Sequence, residues 1–248
     1  MQVSNLGEGN YFAAFGESRI GGILRQLRIS GMRQKLRKFF RENSLSFAFG
    51  MLFALAVIGQ SISGWKFYDE QRGEHGLAQI SYWRFWRTGT FLDSALTNWQ
   101  AAVLQLACLI IFSEGLYQRG ASHSRKPERK HGSRKRSEEL SQRKKTSWIY
   151  RNSLSLAFTG MVMATFILHV IFATVSYNET RALQRQPPVT TAHFFESSGF
   201  WFLTLQTWQA EFFAILVFII LTIFLRQENS AESKPPEASD KQTGDANQ

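Results

Sequence analysis

The residues of this chain that could do chemistry are polar side chains set inside long apolar stretches. Four stretches are long enough to cross the hydrocarbon core of a bilayer, which takes about 20 residues. A polar group at membrane depth is costly, so it usually faces the protein interior or water and marks a functional site. The candidate intramembrane polar site therefore consists of Gln60, Gln100, His169, Gln209 and Glu211.

These positions belong to a pattern that occurs twice in the chain. A Trp-Gln-Ala motif begins at Trp99 and again at Trp208, 109 positions later. With the same offset, the ranges 43–118 and 152–227 align without a gap and share about 21 identities. Because a repeat determines the architecture, it is considered before any other feature. The sequence predicts two tandem copies of one unit, each with two apolar spans.

From these spans we predict an all-α integral membrane protein with four transmembrane helices, arranged as two tandem helical hairpins. The predicted parts are a basic N-terminal segment over 1–42, a first two-helix unit over 43–118 with spans at about 45–64 and 96–116, a basic disordered linker over 119–147, a second unit over 148–227 with spans at about 154–175 and 203–225, and a disordered polar tail over 228–248. Met32, followed by basic residues, resembles an alternative start that would leave 1–31 untranslated.

The ends of the predicted helices carry capping residues. Ser81 is expected to cap a short helix at about 79–87, and Thr190 or Thr191 to cap its counterpart in the second loop. Asn43 and Asn152 each precede Ser-Leu-Ser at the start of a span. We expect these two asparagines to accept hydrogen bonds from the first N–H groups of their helices.

The Trp-Gln motif suggests how each second span is positioned. Trp99 and Trp208 are predicted interface anchors, with the indole N–H in the headgroup layer and the ring in lipid. Gln100 and Gln209 would hydrogen-bond to the companion helix or to the other copy. A polar lining for a pathway through the membrane is the alternative.

Glu211 and His169 are the ionisable members of the candidate site. Glu211 lies about one turn inside the predicted interface, where its side chain can reach back to water, so an interfacial role is the alternative to a functional one. His169 aligns with Gln60, and its ring could hydrogen-bond Gln209 or Glu211 in the outer half of the bundle. The simpler interpretation of a lone intramembrane histidine is packing or hydrogen bonding.

The distribution of charge predicts the orientation. The chain has a net charge of +10; eight Lys and Arg lie between 19 and 41 and eleven in the linker, against about four and two in the loops. Basic segments stay cytoplasmic. We therefore predict a multi-pass protein of the bacterial plasma membrane with both termini inside. The linker would contact anionic lipid, and it contains no folded motif for specific nucleic-acid binding.

No arrangement typical of catalysis or metal binding occurs in the sequence. It contains no nucleophile and base at a known spacing, no phosphate-binding glycine loop and no His/Cys metal pattern. The single Cys108 excludes a disulfide within the chain. The sequence predicts no catalytic residue, cofactor or metal, and therefore no enzyme.

Several short segments resemble a bacterial family of small four-span membrane proteins of unknown function. They are Arg41-Glu42-Asn43-Ser44-Leu45-Ser46, Gly59-Gln60, Tyr68-Asp69-Glu70, Gly89-Thr90-Phe91, Asn98-Trp99-Gln100 and the tail from Arg226 to Pro235. The resemblance covers roughly 37–236 and implies location and architecture, with no activity attached. An acidic residue follows the Trp-Gln pair in that family; Glu211 keeps this feature and Ala102 departs from it.

The expected role is structural or interaction-based in the bacterial envelope, with an envelope protein or a second copy of the chain as partner. The alternative is a small channel or secondary transporter that uses the intramembrane polar residues at the interface of the repeats. The two alternatives differ in whether those residues converge inside the bundle or point to lipid.

Overall fold

The computed structural model describes residues 32–124 and 147–244, and predictions for the rest of the chain lie outside these ranges. Every regular element within them is helical, so the all-α prediction is confirmed. In chain order the helices are α1 (32–42), α2 (Ser44–Glu74), α3 (Tyr82–Phe85), α4 (Gly89–Gly115), α5 (Trp148–Arg151), α6 (Ser153–Leu183), α7 (Thr191–Phe195) and α8 (Ser198–Phe224).

The four long helices are α2, α4, α6 and α8. Each is long and apolar enough to cross a membrane, as the sequence predicts. The chain forms two compact units, which are described separately: residues up to Ser63 and residues from Gly64 onward. In the first unit α2 follows α1 almost without interruption, and the ring of Phe47 packs against those of Phe39 and Phe40.

Hydroxyl caps determine where the later helices begin. Thr88 accepts a hydrogen bond from the N–H of Phe91 at 3.3 Å, so α4 begins at Gly89. Ser197 makes the same contact at the start of α8, and Thr190 caps α7 as predicted. Ser81 precedes α3 but makes no side-chain cap bond, and α3 is shorter than the helix predicted at this point.

The predicted capping role of the two asparagines is wrong. The side-chain amide of Asn43 donates to the carbonyl oxygen of Phe39 at 2.8 Å, and that of Asn152 donates to Trp148 at 2.9 Å. In both places a helical turn already precedes the long helix, so the side chain bonds back to that turn instead of accepting from the next one.

The loop after each of α2 and α6 is held to the end of its helix by a side chain of that helix. Asp69 accepts from the N–H of Ile80 at 2.9 Å, and Asn178 accepts from Val189 at 2.8 Å. These two contacts lie 109 positions apart. An arginine three residues later adds a bond in each loop, from Arg72 to Ala78 and from Arg181 to Pro187.

In the second unit α4 is the central helix, because it packs along α6 and also against α8. Gly89 marks the closest approach of α4 to α6. A Cβ atom added at Gly89 would lie 2.5 Å from the backbone nitrogen of Ser176. The helices can therefore meet at this point only if residue 89 has no side chain.

Glu179 of α6 joins the start of α4 at the same place. Its carboxylate accepts from the N–H groups of Gly89 and Thr90 at 2.8 and 3.0 Å, and from the Thr90 hydroxyl at 2.9 Å. A negative charge at a helix N-terminus is stabilising, since the first N–H groups have no partner inside the helix. Glu179 thus fixes the position of α4 along α6.

The tail beyond α8, for which the sequence predicts disorder over 228–248, makes hydrogen bonds over its described residues 226–244. Lys234 is 1% exposed, and four backbone carbonyl oxygens surround its ammonium nitrogen within hydrogen-bond distance, at 3.1 to 3.4 Å. Thr243 accepts from the N–H of Gly120 at 2.9 Å, which ties the tail to the segment after α4. These contacts satisfy polar groups that composition alone indicates should be solvated.

Replacing Lys234 with methionine is expected to loosen the tail. The four carbonyl groups lose their common donor, and a hydrogen bond to a charged group contributes about 2 kcal/mol. Limited proteolysis should then cut the tail at least about tenfold faster than in the wild type. Lys241→Met, at an exposed position, is the control. Equal cleavage rates in the two variants would contradict the role of Lys234.

Candidate functional site

An aspartate and a histidine face each other between α4 and α6. Oδ1 of Asp93 lies 3.8 Å from Nε2 of His169. The histidine is 3% exposed and the aspartate half-buried. Both residues lie within helices that are long and apolar enough to cross a membrane. The pair is therefore an ionisable group inside the helical bundle, where such groups mark functional sites.

Neighbouring side chains hold this pair in place. The hydroxyl of Thr97, one turn further along α4, donates to Oδ1 of Asp93 at 3.1 Å. The ring of Phe200 from α8 lies 5.3 Å from the His169 ring, centroid to centroid, and Phe200 is 2% exposed. An apolar wall of this kind lowers the local dielectric constant, so the Asp93–His169 interaction is less screened than it would be in water.

Two turns along α4 from Asp93, Gln100 connects this helix to α8. Its Oε1 accepts from the indole N–H of Trp208 at 2.8 Å, and the glutamine is 1% exposed. Of the two partners predicted for Gln100, the companion helix and the second predicted repeat, this bond involves a helix of the second predicted repeat. The indole N–H of Trp208, predicted to lie in the headgroup layer, is used inside the protein instead.

Three buried polar atoms in this region have no hydrogen-bond partner within the described residues. They are Nδ1 of His169, Nε2 of Gln100 and Oγ1 of Thr204, which is one turn from Trp208 on α8. An unpaired buried polar group costs about 1–3 kcal/mol. Native structures usually pair such groups with protein or ordered water, so each of these atoms needs an explanation. We name the residues Asp93, Thr97, Gln100, His169, Thr204 and Trp208 the polar cluster.

The structure distributes the predicted site residues over different environments. Gln100 and His169 belong to the polar cluster, whereas Gln209 is exposed. Glu211 is half-buried, with no ion pair or side-chain hydrogen bond to the described part of the chain. Gln60 is half-buried in the first unit. The sequence predicts Gln209 or Glu211 as the partner of His169, but the ring faces Asp93 instead.

Asp93 is the member of the candidate site that the sequence does not predict. The sequence predicts a second span that begins near 96, and this boundary places Asp93 in the preceding loop with other charged residues. The signal that could have placed it in the helix is Thr88, whose hydroxyl caps α4 one turn before Asp93. Across residues 32–124 and 147–244, no three His, Cys, Asp or Glu side chains are grouped to hold a metal ion.

Replacing Trp208 with phenylalanine tests the link between α4 and α8. The change keeps the ring but removes the donor to Gln100, and hydrogen bonds between membrane helices contribute about 1 kcal/mol. We expect a lower midpoint of thermal unfolding in detergent. Trp83→Phe, at a 75% exposed position, should leave the midpoint unchanged. Equal midpoints for both variants would mean that the bond does not stabilise the bundle.

Comparison with known proteins identifies the family. A model described as "Domain of unknown function (DUF6766)" matches residues 36–245, so the chain belongs to that family. The match includes the tail that Lys234 anchors and all four long helices. No curated protein and no solved structure matches the chain.

Proposed function

We propose that this member of the DUF6766 family is a small membrane channel or transporter that moves protons through the polar cluster. One observation carries the proposal: Asp93 and His169 come together 3.8 Å apart, inside helices able to cross a membrane. Convergence of polar residues inside the bundle is the feature that distinguishes transport from a purely structural role. Only part of the originally predicted set converges, and Asp93 supplies the missing carboxylate.

The two nitrogens of His169 suit a relay. Nε2 faces the Asp93 carboxylate, while Nδ1 is buried without a partner among the described residues. An imidazole can accept a proton on one nitrogen and release another from the opposite nitrogen, and its ordinary pKa is close to neutral. In this mechanism Asp93 gives its proton to His169 or takes one from it, and the Thr97 hydroxyl keeps the carboxylate in place.

Proton flux into proteoliposomes tests the proposal. A membrane potential drives protons inward, and a pH-sensitive dye inside the vesicles reports their arrival. Asp93→Asn keeps the size of the side chain but cannot exchange a proton, so the flux should fall at least about tenfold. Glu211→Gln, at a half-buried carboxylate outside the polar cluster, is the matched control and should retain the flux. Flux no greater than in protein-free vesicles would refute the proposal.

The proposal includes an internal duplication and a location. The ranges 43–118 and 152–227 would be copies of one hairpin in a bacterial plasma membrane, with both termini cytoplasmic and the loops after α2 and α6 outside. Support comes from the basic residues before 42 and in the linker, and from loop contacts that recur 109 positions apart. In a Cys108→Ala background, Trp83→Cys should react with an impermeant maleimide on intact cells. If Trp83→Cys were labelled only after lysis, the orientation would be opposite to the proposed one.

A structural or interaction role in the envelope is the second candidate. The observation that favours it is Trp83, which is 75% exposed in the loop between α2 and α4, where an indole could contact a protein partner. Crosslinking in cells followed by a pull-down should recover one envelope protein reproducibly with the wild type and much less of it with Trp83→Ala. Absence of any reproducible partner would remove this candidate.

A further inference from the structure

The contact between Glu179 and the start of α4 is formed by residues that have equivalents 109 positions away in the sequence. These equivalents, a glutamate and a helix start, do not contact each other within the chain. The positions 109 residues away are Glu70 for Glu179, and Ser198 and Gly199 for Gly89 and Thr90. All three counterparts are exposed. Within the described ranges, the carboxylate of Glu70 has no hydrogen-bond or ion-pair partner, and the N–H groups of the other two have no acceptor.

Glu70 and the start of α8 have the same local structure as Glu179 and the start of α4. Asp69 and Arg72 hold the helix end around Glu70 to its loop, as Asn178 and Arg181 do around Glu179. At the other part, Ser197 caps α8 in the way that Thr88 caps α4. A carboxylate is therefore available for one helix N-terminus, and a helix N-terminus is available for one carboxylate.

The face of α4 that packs against α6 is buried, whereas the equivalent face of α8, 109 positions later in the sequence, is exposed. Leu96 and Ala107 of α4 are 8% and 4% exposed. Leu205 and Leu216, 109 positions later on α8, are 52% and 55% exposed. Positions 198, 202, 205, 209 and 216 fall on one stripe of α8 because they repeat at helical spacing. We call this stripe the open face of α8.

Gln209 indicates that protein, rather than lipid alone, covers the open face. It stands where Gln100 is 1% exposed on α4, but Gln209 itself is exposed in the middle of a helix apolar enough to cross a membrane. Lipid tails offer no hydrogen-bond partner to a side-chain amide, so a glutamine at this depth favours a helix–helix interface.

We propose that a second copy of this chain packs on the open face of α8, with its Glu70 accepting from the N–H groups of Ser198 and Gly199. Between two chains, α2 and α8 would thus form the kind of interface that α6 and α4 form within one chain. Each copy carries one of each part, so two copies can exchange both contacts across a two-fold axis, or more copies can join head-to-tail in a closed ring. This inference does not depend on proton transport.

The contact between copies differs from the contact within the chain at one position, where a serine replaces a glycine. Ser198 stands where Gly89 allows the closest approach of α4 to α6. The Cβ of Ser198 must hold the helices farther apart, by about 1 Å to reach ordinary van der Waals separation. Its hydroxyl can in turn donate to Glu70, in place of the bond that Thr90 donates to Glu179.

Disulfide crosslinking in native membranes tests the proposal. In a Cys108→Ala background, the double variant Glu70→Cys with Gly199→Cys should form covalent dimers or larger species on oxidation, and each single variant should not. The matched control pairs Glu70→Cys with Leu203→Cys, because Leu203 is 59% exposed on a different side of α8. Thr90→Cys with Glu179→Cys should instead crosslink within one chain, which shows that oxidation is efficient.

Three outcomes of the crosslinking experiment would overturn the proposal. In the first, the Glu70→Cys, Gly199→Cys variant gives only monomers although the Thr90–Glu179 pair crosslinks. In the second, the Glu70–Gly199 disulfide forms within a single chain, and in the third the Leu203 control crosslinks equally well. The mass of the protein in lipid nanodiscs provides a second measurement. Wild type should be oligomeric, Ser198→Trp should shift at least about tenfold towards monomer, and Leu203→Trp should behave like the wild type. A monomeric wild type would also refute the interface.

Discussion

Gly89→Ala is expected to destabilise the bundle more than any other exchange of one small residue for another in its helices. The added Cβ would lie 2.5 Å from the backbone nitrogen of Ser176 and 2.7 Å from the carbonyl carbon of Val175. Backbone atoms cannot move aside as a flexible side chain can, so α4 and α6 must separate. Overpacking of this kind costs about 3 kcal/mol.

Unfolding of the purified protein in mixed micelles with increasing SDS measures this cost. Gly160→Ala is the control, because Gly160 lies within α6 and a Cβ there would meet nothing within 4 Å. The control should equal or exceed the wild type in stability, since alanine favours a helix over glycine by about 1 kcal/mol. If Gly89→Ala were as stable as Gly160→Ala, the close approach of α4 to α6 would be wrong.

The second large effect is expected from Glu179→Ala. The change removes the acceptor of three hydrogen bonds, from two N–H groups and the hydroxyl of Thr90, at the start of α4. Bonds to a charged group contribute about 1.5–3 kcal/mol each. Because the N–H groups can partly recruit water, we expect a net loss of about 3 kcal/mol.

Two comparisons separate the hydrogen bonds from the charge of Glu179. Glu179→Gln keeps an acceptor oxygen and should lose about half as much free energy of unfolding as Glu179→Ala. Glu196→Ala, at an exposed glutamate in the following loop, should change the stability little. Equal stability of the Glu179 and Glu196 alanine variants would show that the carboxylate does not hold α4 on α6.

The helical architecture could be predicted because it depends on local properties of the chain. Runs of apolar residues longer than about 20 indicate membrane helices whatever they pack against. The cap at Thr190 could be predicted for the same reason, since its hydroxyl bonds to the N–H of His193 only three residues away. Local signals of this kind need no knowledge of the tertiary structure.

The polar cluster could be predicted only in part, because its contacts join residues far apart in the sequence. Gln100 and Trp208 are 108 residues apart, and the carboxylate that anchors α4 comes from Glu179, 90 residues after Gly89. A carboxylate lowers the apolar character of a span, so the sequence places the start of the span after Asp93. The cap at Thr88 brings Asp93 into α4, and its contact with His169 joins two helices that are distant in the sequence.

The contacts of the tail could not be predicted for a related physical reason. Its composition is polar, which is typical of disordered segments. The contacts converge on Lys234, whose ammonium group reaches the carbonyl of Ile223 at the end of α8 as well as three carbonyls of the tail. Such a convergence of backbone carbonyls on one side chain leaves no periodic pattern in the sequence.

The most direct test of proton transport through the polar cluster is a double-mutant comparison of flux. Proteoliposomes would carry the wild type, Asp93→Asn, His169→Gln or both changes together. If Asp93 and His169 act as one relay, each single variant loses at least about tenfold of the flux, and the double variant loses no more than the worse single one. Losses that multiply in the double variant, or full flux in either single variant, would contradict a relay formed by this pair.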